Sequence, residues 1–209
     1  MQDTALLIID MQRDFCDPAG YAAQAGIDAS RLSSPIPILQ ALIPRLRAAG
    51  VMMIYTREGH RPDLSDCPPY KLARAHAAGA PIGAQGPLGR LLIRGEAGHD
   101  IVPELYPEAG DIIIDKPGYS AFHGTDLEAI LRAQGITRLL FSGVTTDVCV
   151  HSTLRSAIDR GYDCVTIADA TACCDDAVQE AMIRVVQGEG GIFGRVTTSV
   201  ALLSALAGD

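Results

Sequence analysis

The stretch Thr137-Arg138-Leu139-Leu140-Phe141-Ser142-Gly143-Val144-Thr145-Thr146-Asp147-Val148-Cys149 changes character twice in a short span. It opens as an apolar run without polar alternation and passes through a turn at Gly143-Val144-Thr145-Thr146. From there Val150, Leu154, Ala157 and Ile158 recur at helical spacing until Gly161. Continuous apolarity marks a strand covered on both faces, and a strand feeding a helix through a tight turn is a building unit of a parallel α/β sheet. Cys149 stands where that helix should begin. A thiol there would feel the positive end of the helix dipole and nearby free N–H groups, so its pKa is expected to fall and its thiolate to act as a nucleophile.

Outward from this stretch the same rhythm repeats. Residues 5–9, 51–55, 111–114, 138–141, 164–168 and 191–196 read as six strands rich in Val, Ile and Leu. Between them, Ile38, Leu39, Leu42, Ile43 and Leu46 form a helical stripe, with a kink expected at Pro44 and a stop at Gly50. Thr125-Asp126-Leu127-Glu128 is a capping box for a helix ended by Gly135, and Val178, Ala181, Met182, Val185 and Val186 make another stripe. A short helix is expected over residues 199–207. Strands alternating with helices imply a doubly wound, three-layer α/β sandwich with a parallel sheet.

The 209 residues suit one domain spanning residues 1–209. A hydrophobic share of 48%, a charged share of 20% and a net charge of −8 describe a globular chain with no surface suited to nucleic acid or an anionic membrane. The apolar runs stop far short of the roughly 20 residues a membrane span needs, and residues 1–20 lack a basic start and cleavage site, so a cytoplasmic protein is expected. Six scattered cysteines in a chain of this size read as reduced thiols. The stretch 56–110, rich in Gly, Pro, Ala and Arg with only residues 91–93 as an extra strand, breaks the rhythm. It reads as a lid or as the contact of a homo-oligomer (dimer or tetramer), with disorder as the alternative.

Two further apolar runs end in charge: Leu6-Leu7-Ile8-Ile9 at Asp10, and Ile112-Ile113-Ile114 at Asp115-Lys116. Ligands of open α/β sheets bind at the carboxyl ends of strands, which would gather an acid, an ammonium and a thiol. Asp10, desolvated beside the thiol, would have a raised pKa and could accept and return its proton. Lys116 would stabilise both charges, and the N–H groups of the Gly143–Thr146 turn could receive an oxyanion. Taken singly, Cys149 could be core packing, Asp10 a turn cap and Lys116 a solvated cation.

The segments Leu6-Leu7-Ile8-Ile9-Asp10-Met11-Gln12-Arg13-Asp14-Phe15, Asp115-Lys116-Pro117-Gly118-Tyr119-Ser120-Ala121-Phe122 and Gly143-Val144-Thr145-Thr146-Asp147-Val148-Cys149-Val150 resemble the isochorismatase-like cysteine hydrolases, in the same order, from about residue 4 to 196. The resemblance implies strand order 3-2-1-4-5-6, a triad of Asp10, Lys116 and Cys149, a non-proline cis peptide at Val144-Thr145, and an oxyanion hole from the Thr145 and Cys149 amides. Family branches that bind metal carry Asp-x-His after the second strand. Glu58-Gly59-His60 stands here instead, without a further ligand among His76, His99, His123 and His151, so no metal and no cofactor are expected. The segments 55–64 and 159–164 resemble the biuret and triuret hydrolases, which implies a small urea-like amide, triuret or biuret, cleaved to ammonia through a thioester. Ureidoacrylate, N-carbamoyl amino acids and isochorismate stay open as substrates, and a thiol redox sensor or non-catalytic binding module as another class. Phe15, Tyr119, Phe122 and His123 are expected to line the substrate pocket by their motif positions. Glu189, where that branch has Gln, would accept N–H groups of a ureido chain or be a solvated turn charge.

Overall fold

In the computed structural model, which describes residues 1–207, the apolar runs pair as a six-stranded parallel sheet. Its strands are β1 (Thr4–Ile9), β2 (Met52–Glu58), β3 (Ile112–Lys116), β4 (Arg138–Val144), β5 (Asp163–Ala172) and β6 (Arg195–Thr197), in spatial order 3-2-1-4-5-6. The central strand β1 is buried along its whole length, as its continuous apolarity requires. Its side chains alternate between two cores. Leu6 and Ile8 join Met53, Tyr55 and Leu140 against α1 (Ile36–Ala48), whereas Ala5, Leu7 and Ile9 join Ile54, Ile114 and Phe141 on the opposite face. That second face is covered by α3 (Leu127–Ala133), α4 (His151–Ile158) and α5 (Asp176–Gly191), while α6 (Ser199–Ala207) packs on the first. Each Leu or Ile so buried contributes about 1.5–3 kcal/mol.

Several boundaries differ from the sequence reading. Strand β2 runs on to Glu58 and β3 to Lys116, because their polar ends are paired: Arg57 meets Asp115 at 2.7 Å and Glu58 faces Lys116 in the ladder. Strand β6 begins only at Arg195, since Gly188, Glu189 and Gly190 leave helical geometry at the kinked end of α5. Helix α1 continues through Pro44, which lies on its exposed side. At α3 the expected reciprocal cap is half made: Leu127 N–H donates to Thr125 Oγ1 at 3.3 Å, but Glu128 turns to Arg132 and Arg160. Residues 91–93 form no strand. The stretch 56–110 is ordered nonetheless, carrying α2 (Pro69–Ala77), a hairpin of Gln85–Gly86 with Gly89–Arg90, and a core of its own around Tyr21, Ala75, Ile82 and Leu91. No helix among the described residues is long and apolar enough to cross a membrane.

One glycine sets the sheet at the site. Gly143 faces Ile9 in the β1–β4 ladder at φ 99°, and a Cβ there would collide with the Ile9 backbone. Gly143→Ala is therefore expected to destabilise the fold by about 2 kcal/mol or more, read as a lowered Tm. A Tm equal to that of the parent would show that β1 and β4 separate freely at this level.

Candidate active site

Four strand ends lie side by side because the ladders are in step: Ile9 of β1 faces both Thr56 on β2 and Gly143 on β4, and Glu58 of β2 faces Lys116 on β3. Asp10, the residue after β1, takes a left-handed backbone (φ 50°), with its N–H donating to the Thr56 carbonyl at 3.1 Å. Thr56 Oγ1 donates to Asp10 Oδ1 at 2.6 Å, fixing the carboxylate. Lys116 Nζ stands 2.8 Å from Asp10 Oδ2, 3.5 Å from Glu58 Oε2 and 3.0 Å from the Gly118 carbonyl that it donates to. Asp10, Lys116 and Cys149 are all buried.

Cys149 reaches this group from β4 through the expected cis peptide at Val144-Thr145 and a wide turn over Thr146–Val150, closed by Val150 N–H on the Thr145 carbonyl. Its thiol donates to Glu58 Oε2 at 3.1 Å, and the ligand atoms of Asp10, Glu58 and Cys149 all lie within 4.8 Å of one another. The expected fall of the thiol pKa is corrected here. Burial pushes it well above 9.0, and the carboxylates of Asp10 and Glu58 add to the rise against the opposing Lys116. At rest Cys149 is a thiol, and to act as a nucleophile it would have to hand on its proton.

The two carboxyls beside it differ in the form their surroundings favour. Burial raises the Asp10 pKa and prevails over Lys116, its main opposing cation. Burial acts on Glu58 too, but Lys116 and Lys71 together outweigh it and hold Glu58 below the usual carboxylate range. Lys71 Nζ sits 2.6 Å from Glu58 Oε1 and donates to the Pro117 carbonyl at 2.9 Å. Two titratable groups driven apart by their surroundings mark the proton carrier and the permanent anion. Asp10 fits the first role and Glu58 the second.

Gln12 locks Glu58 in place: its amide accepts from Glu58 N–H at 2.7 Å and donates to the Glu58 and His99 carbonyls at 3.0 and 2.8 Å. Burial depresses the His99 pKa to about 4, despite Asp115 nearby. The Asp10, Glu58 and Cys149 atoms could in principle hold a metal ion, but Lys116 and Lys71 already stand against both carboxylates as their counter-cations. His60 lies outside that set, its Nδ1 3.2 Å from Asp66.

Beside this group lies a cavity of about 590 Å³, whose walls include Lys71 and Gly118 but not Asp10, Lys116 or Cys149. Tyr119, Phe122 and His123 line it as the sequence suggests, and Lys71 and Gly118 connect it to Glu58 and Lys116. Phe15 does not line it: it packs edge-to-face on Tyr21 at 6.2 Å, in the core of the 56–110 region. Glu189 is also absent from its walls, lying exposed at φ 51° in the Gly-rich kink after α5. Glu58, Lys71 and Thr56 are site residues that sequence reading missed as such. Extending β2 by three residues would have exposed Glu58 and Thr56, whereas nothing near Lys71 signals a buried ammonium.

An isochorismatase domain model matches residues 4–200. Ureidoacrylate amidohydrolase RutB of Serratia proteamaculans (strain 568) is 38% identical over 173 residues, 81% of this chain and 70% of that protein. A cysteine hydrolase structure from Pseudomonas syringae pv. phaseolicola 1448A superposes with TM-score 0.84 at 28% identity, covering 99% of this chain and 93% of that one. N-carbamoylsarcosine amidase from Thermoplasma acidophilum follows at TM-score 0.71 and 25% identity, covering 94% and 96%. A match that runs unbroken through all six strands leaves one assignment: the chain belongs to the isochorismatase family.

Proposed function

We propose that the protein hydrolyses a terminal C–N bond of a small ureido acid of the ureidoacrylate type, through a thioester on Cys149 and with release of ammonia. The observation that carries this reading is the Glu58–Lys71 pair between the thiol and the cavity. An ionised carboxylate suits the N–H groups of a ureido end, and the buried ammonium suits a substrate carboxylate. Triuret and biuret, favoured from sequence alone, carry no carboxylate for Lys71 to meet. The ureidoacrylate amidohydrolase relatives point the same way.

Asp10 takes the Cys149 proton as the sulfur attacks the ureido carbonyl, and Lys116 holds the charge that develops between them. The Thr145 and Cys149 amides receive the oxyanion. Asp10 then protonates the departing nitrogen, which leaves as ammonia, and next activates the water that cleaves the thioester. The N-carboxy product loses carbon dioxide in solution.

Ammonia release measured over ureidoacrylate, N-carbamoyl amino acids, biuret, triuret and nicotinamide tests the reading. The ureido acids are expected to lead by at least tenfold in kcat/KM, about 1.4 kcal/mol. A lead for biuret or triuret would return the substrate to the neutral ureas. Dialysis against a strong chelator is expected to leave the rate unchanged, because Lys116 and Lys71 neutralise the carboxylates. Loss of activity restored by zinc or manganese would instead make Asp10, Glu58 and Cys149 ligands.

The pH profile of kcat/KM is expected to be a broad plateau. Its acid limb falls as Asp10 takes up a proton, and lies above the ordinary 3.8 because that pKa is raised. Its alkaline limb, where the shared proton is lost, lies above 9.0 for the same reason at Cys149. An alkaline limb below 9.0 would show a thiolate at rest and remove Asp10 as its proton acceptor.

A further inference from the structure

The cavity extends well beyond the space a four-bond ureido acid needs, and one helix face runs along it. Ser152 and Ser156, one turn apart on α4, line the cavity, and so does Arg160 in the turn that follows the helix. Lys71 Nζ stands 5.0 Å from the centre of the Tyr119 ring and the Arg160 guanidinium 4.7 Å from that of Phe122, so each cation meets a different ring of the cavity wall.

Arg160 is exposed and tethered on two sides. Its Nη1 donates to the Ser156 carbonyl at 2.9 Å, its Nε to Glu128 Oε2 at 2.8 Å, and its guanidinium lies 4.7 Å from the centre of the Phe122 ring. Nη2 has no protein partner among the described residues. Glu128 also pairs with Arg132, so one carboxylate serves two guanidiniums and a positive charge is left over. The acidic residue of the cavity wall, Asp66, is already engaged by His60 and Arg94. The stretch between is lined by the rings of Tyr119 and Phe122.

Resting on the ureido reading above, we infer that Arg160 is a specificity-determining residue that anchors the far anionic group of an elongated substrate. The chemical class is an ω-ureido carboxylate whose apolar spacer lies along the aromatic wall and whose carboxylate reaches Nη2. An ureidoacrylate-length molecule, with four bonds from ureido carbon to carboxyl carbon, would stop at Lys71.

The test is steady-state ammonia release from 3-ureidopropionate, 6-ureidohexanoate, 8-ureidooctanoate and the neutral 6-ureidohexanamide. It is run on the parent protein and on Arg160→Gln and Glu128→Gln. In the parent, the six- and eight-carbon acids are expected to exceed both the three-carbon acid and the neutral amide in kcat/KM. Arg160→Gln should lower the long-to-short ratio about tenfold, through KM. Glu128→Gln, which frees Nη2's neighbour Nε from a competing carboxylate, should raise that ratio. Opposite signs separate substrate anchoring from scaffold support, since a merely structural ion pair would move both variants the same way. A ratio that falls in both variants, or no preference for the longer acids in the parent, overturns the inference while leaving short ureido hydrolysis standing. Failure of every ureido compound to release ammonia overturns the ureido reading and this inference with it.

Discussion

Cys149→Ser is expected to lower ammonia release by about a thousandfold or more while the unfolding midpoint stays close to that of the parent. The substitution is nearly isosteric, and a hydroxyl can still donate to Glu58 Oε2 where the thiol does, so burial and hydrogen bonding are kept. What is lost is acidity and nucleophilicity. The thiol pKa is already raised by burial and two carboxylates, and only the intrinsic reactivity of sulfur makes its transient ionisation useful. A hydroxyl in the same environment is far harder to ionise, and Lys116 alone cannot make up the difference. Turnover near the parental rate would mean that Asp10 activates water directly and that no thioester forms. Trapping settles the point independently: the parent quenched during turnover should carry the acyl mass on the peptide containing Cys149, and Cys149→Ala should carry none.

The parts of this architecture that rest on local pattern were legible in the chain. Strands β1 and β4 announce themselves because both faces are covered, which removes polar alternation from Leu6–Ile9 and Leu139–Phe141. Asp10 and Lys116 stand out because charge ends an apolar run at a strand end, and Cys149 because it stands where a turn gives way to a helix. Polar residues buried by distant partners were not legible. Thr56, Arg57 and Glu58 look like the start of a loop until Asp10, Asp115 and Lys116 are brought beside them. Lys71 sits in a Pro- and Ala-rich segment, and only the long-range contact with Glu58 explains its burial. The thiol pKa shows the same limit. Sequence displays the helix that follows Cys149 but not the two carboxylates facing it, and their effect, added to burial, is the larger one. Motif position likewise suggested Phe15 and Glu189 as pocket residues, whereas packing put one beside Tyr21 and the other in an exposed turn.

Asp10→Asn and Glu58→Gln should separate the two carboxylates that share the thiol. Each swap keeps shape and removes one negative charge beside Lys116, so each also leaves a buried ammonium less compensated. Their effects on catalysis should nonetheless differ in kind. Asp10 is the group whose pKa burial raises, and its one close cation is Lys116, which suits it to accept the Cys149 proton and give it to the leaving nitrogen. An amide can do neither, and kcat should fall about a thousandfold with little change in KM. Glu58 is kept ionised by Lys116 and Lys71 acting together and has no proton to give. Glu58→Gln should retain a substantial kcat and raise KM about tenfold or more, because an acceptor-only carboxylate facing ureido N–H groups becomes a mixed donor and acceptor. It should also lower the thiol pKa, since one of the charges that raise it is gone, moving the alkaline limb of kcat/KM to lower pH. The reverse pattern, with kcat lost in Glu58→Gln and retained in Asp10→Asn, would transfer the proton to Glu58. In that case Asp10 would be reduced to the counter-ion of Lys116, and the difference in their surroundings would have misassigned the base.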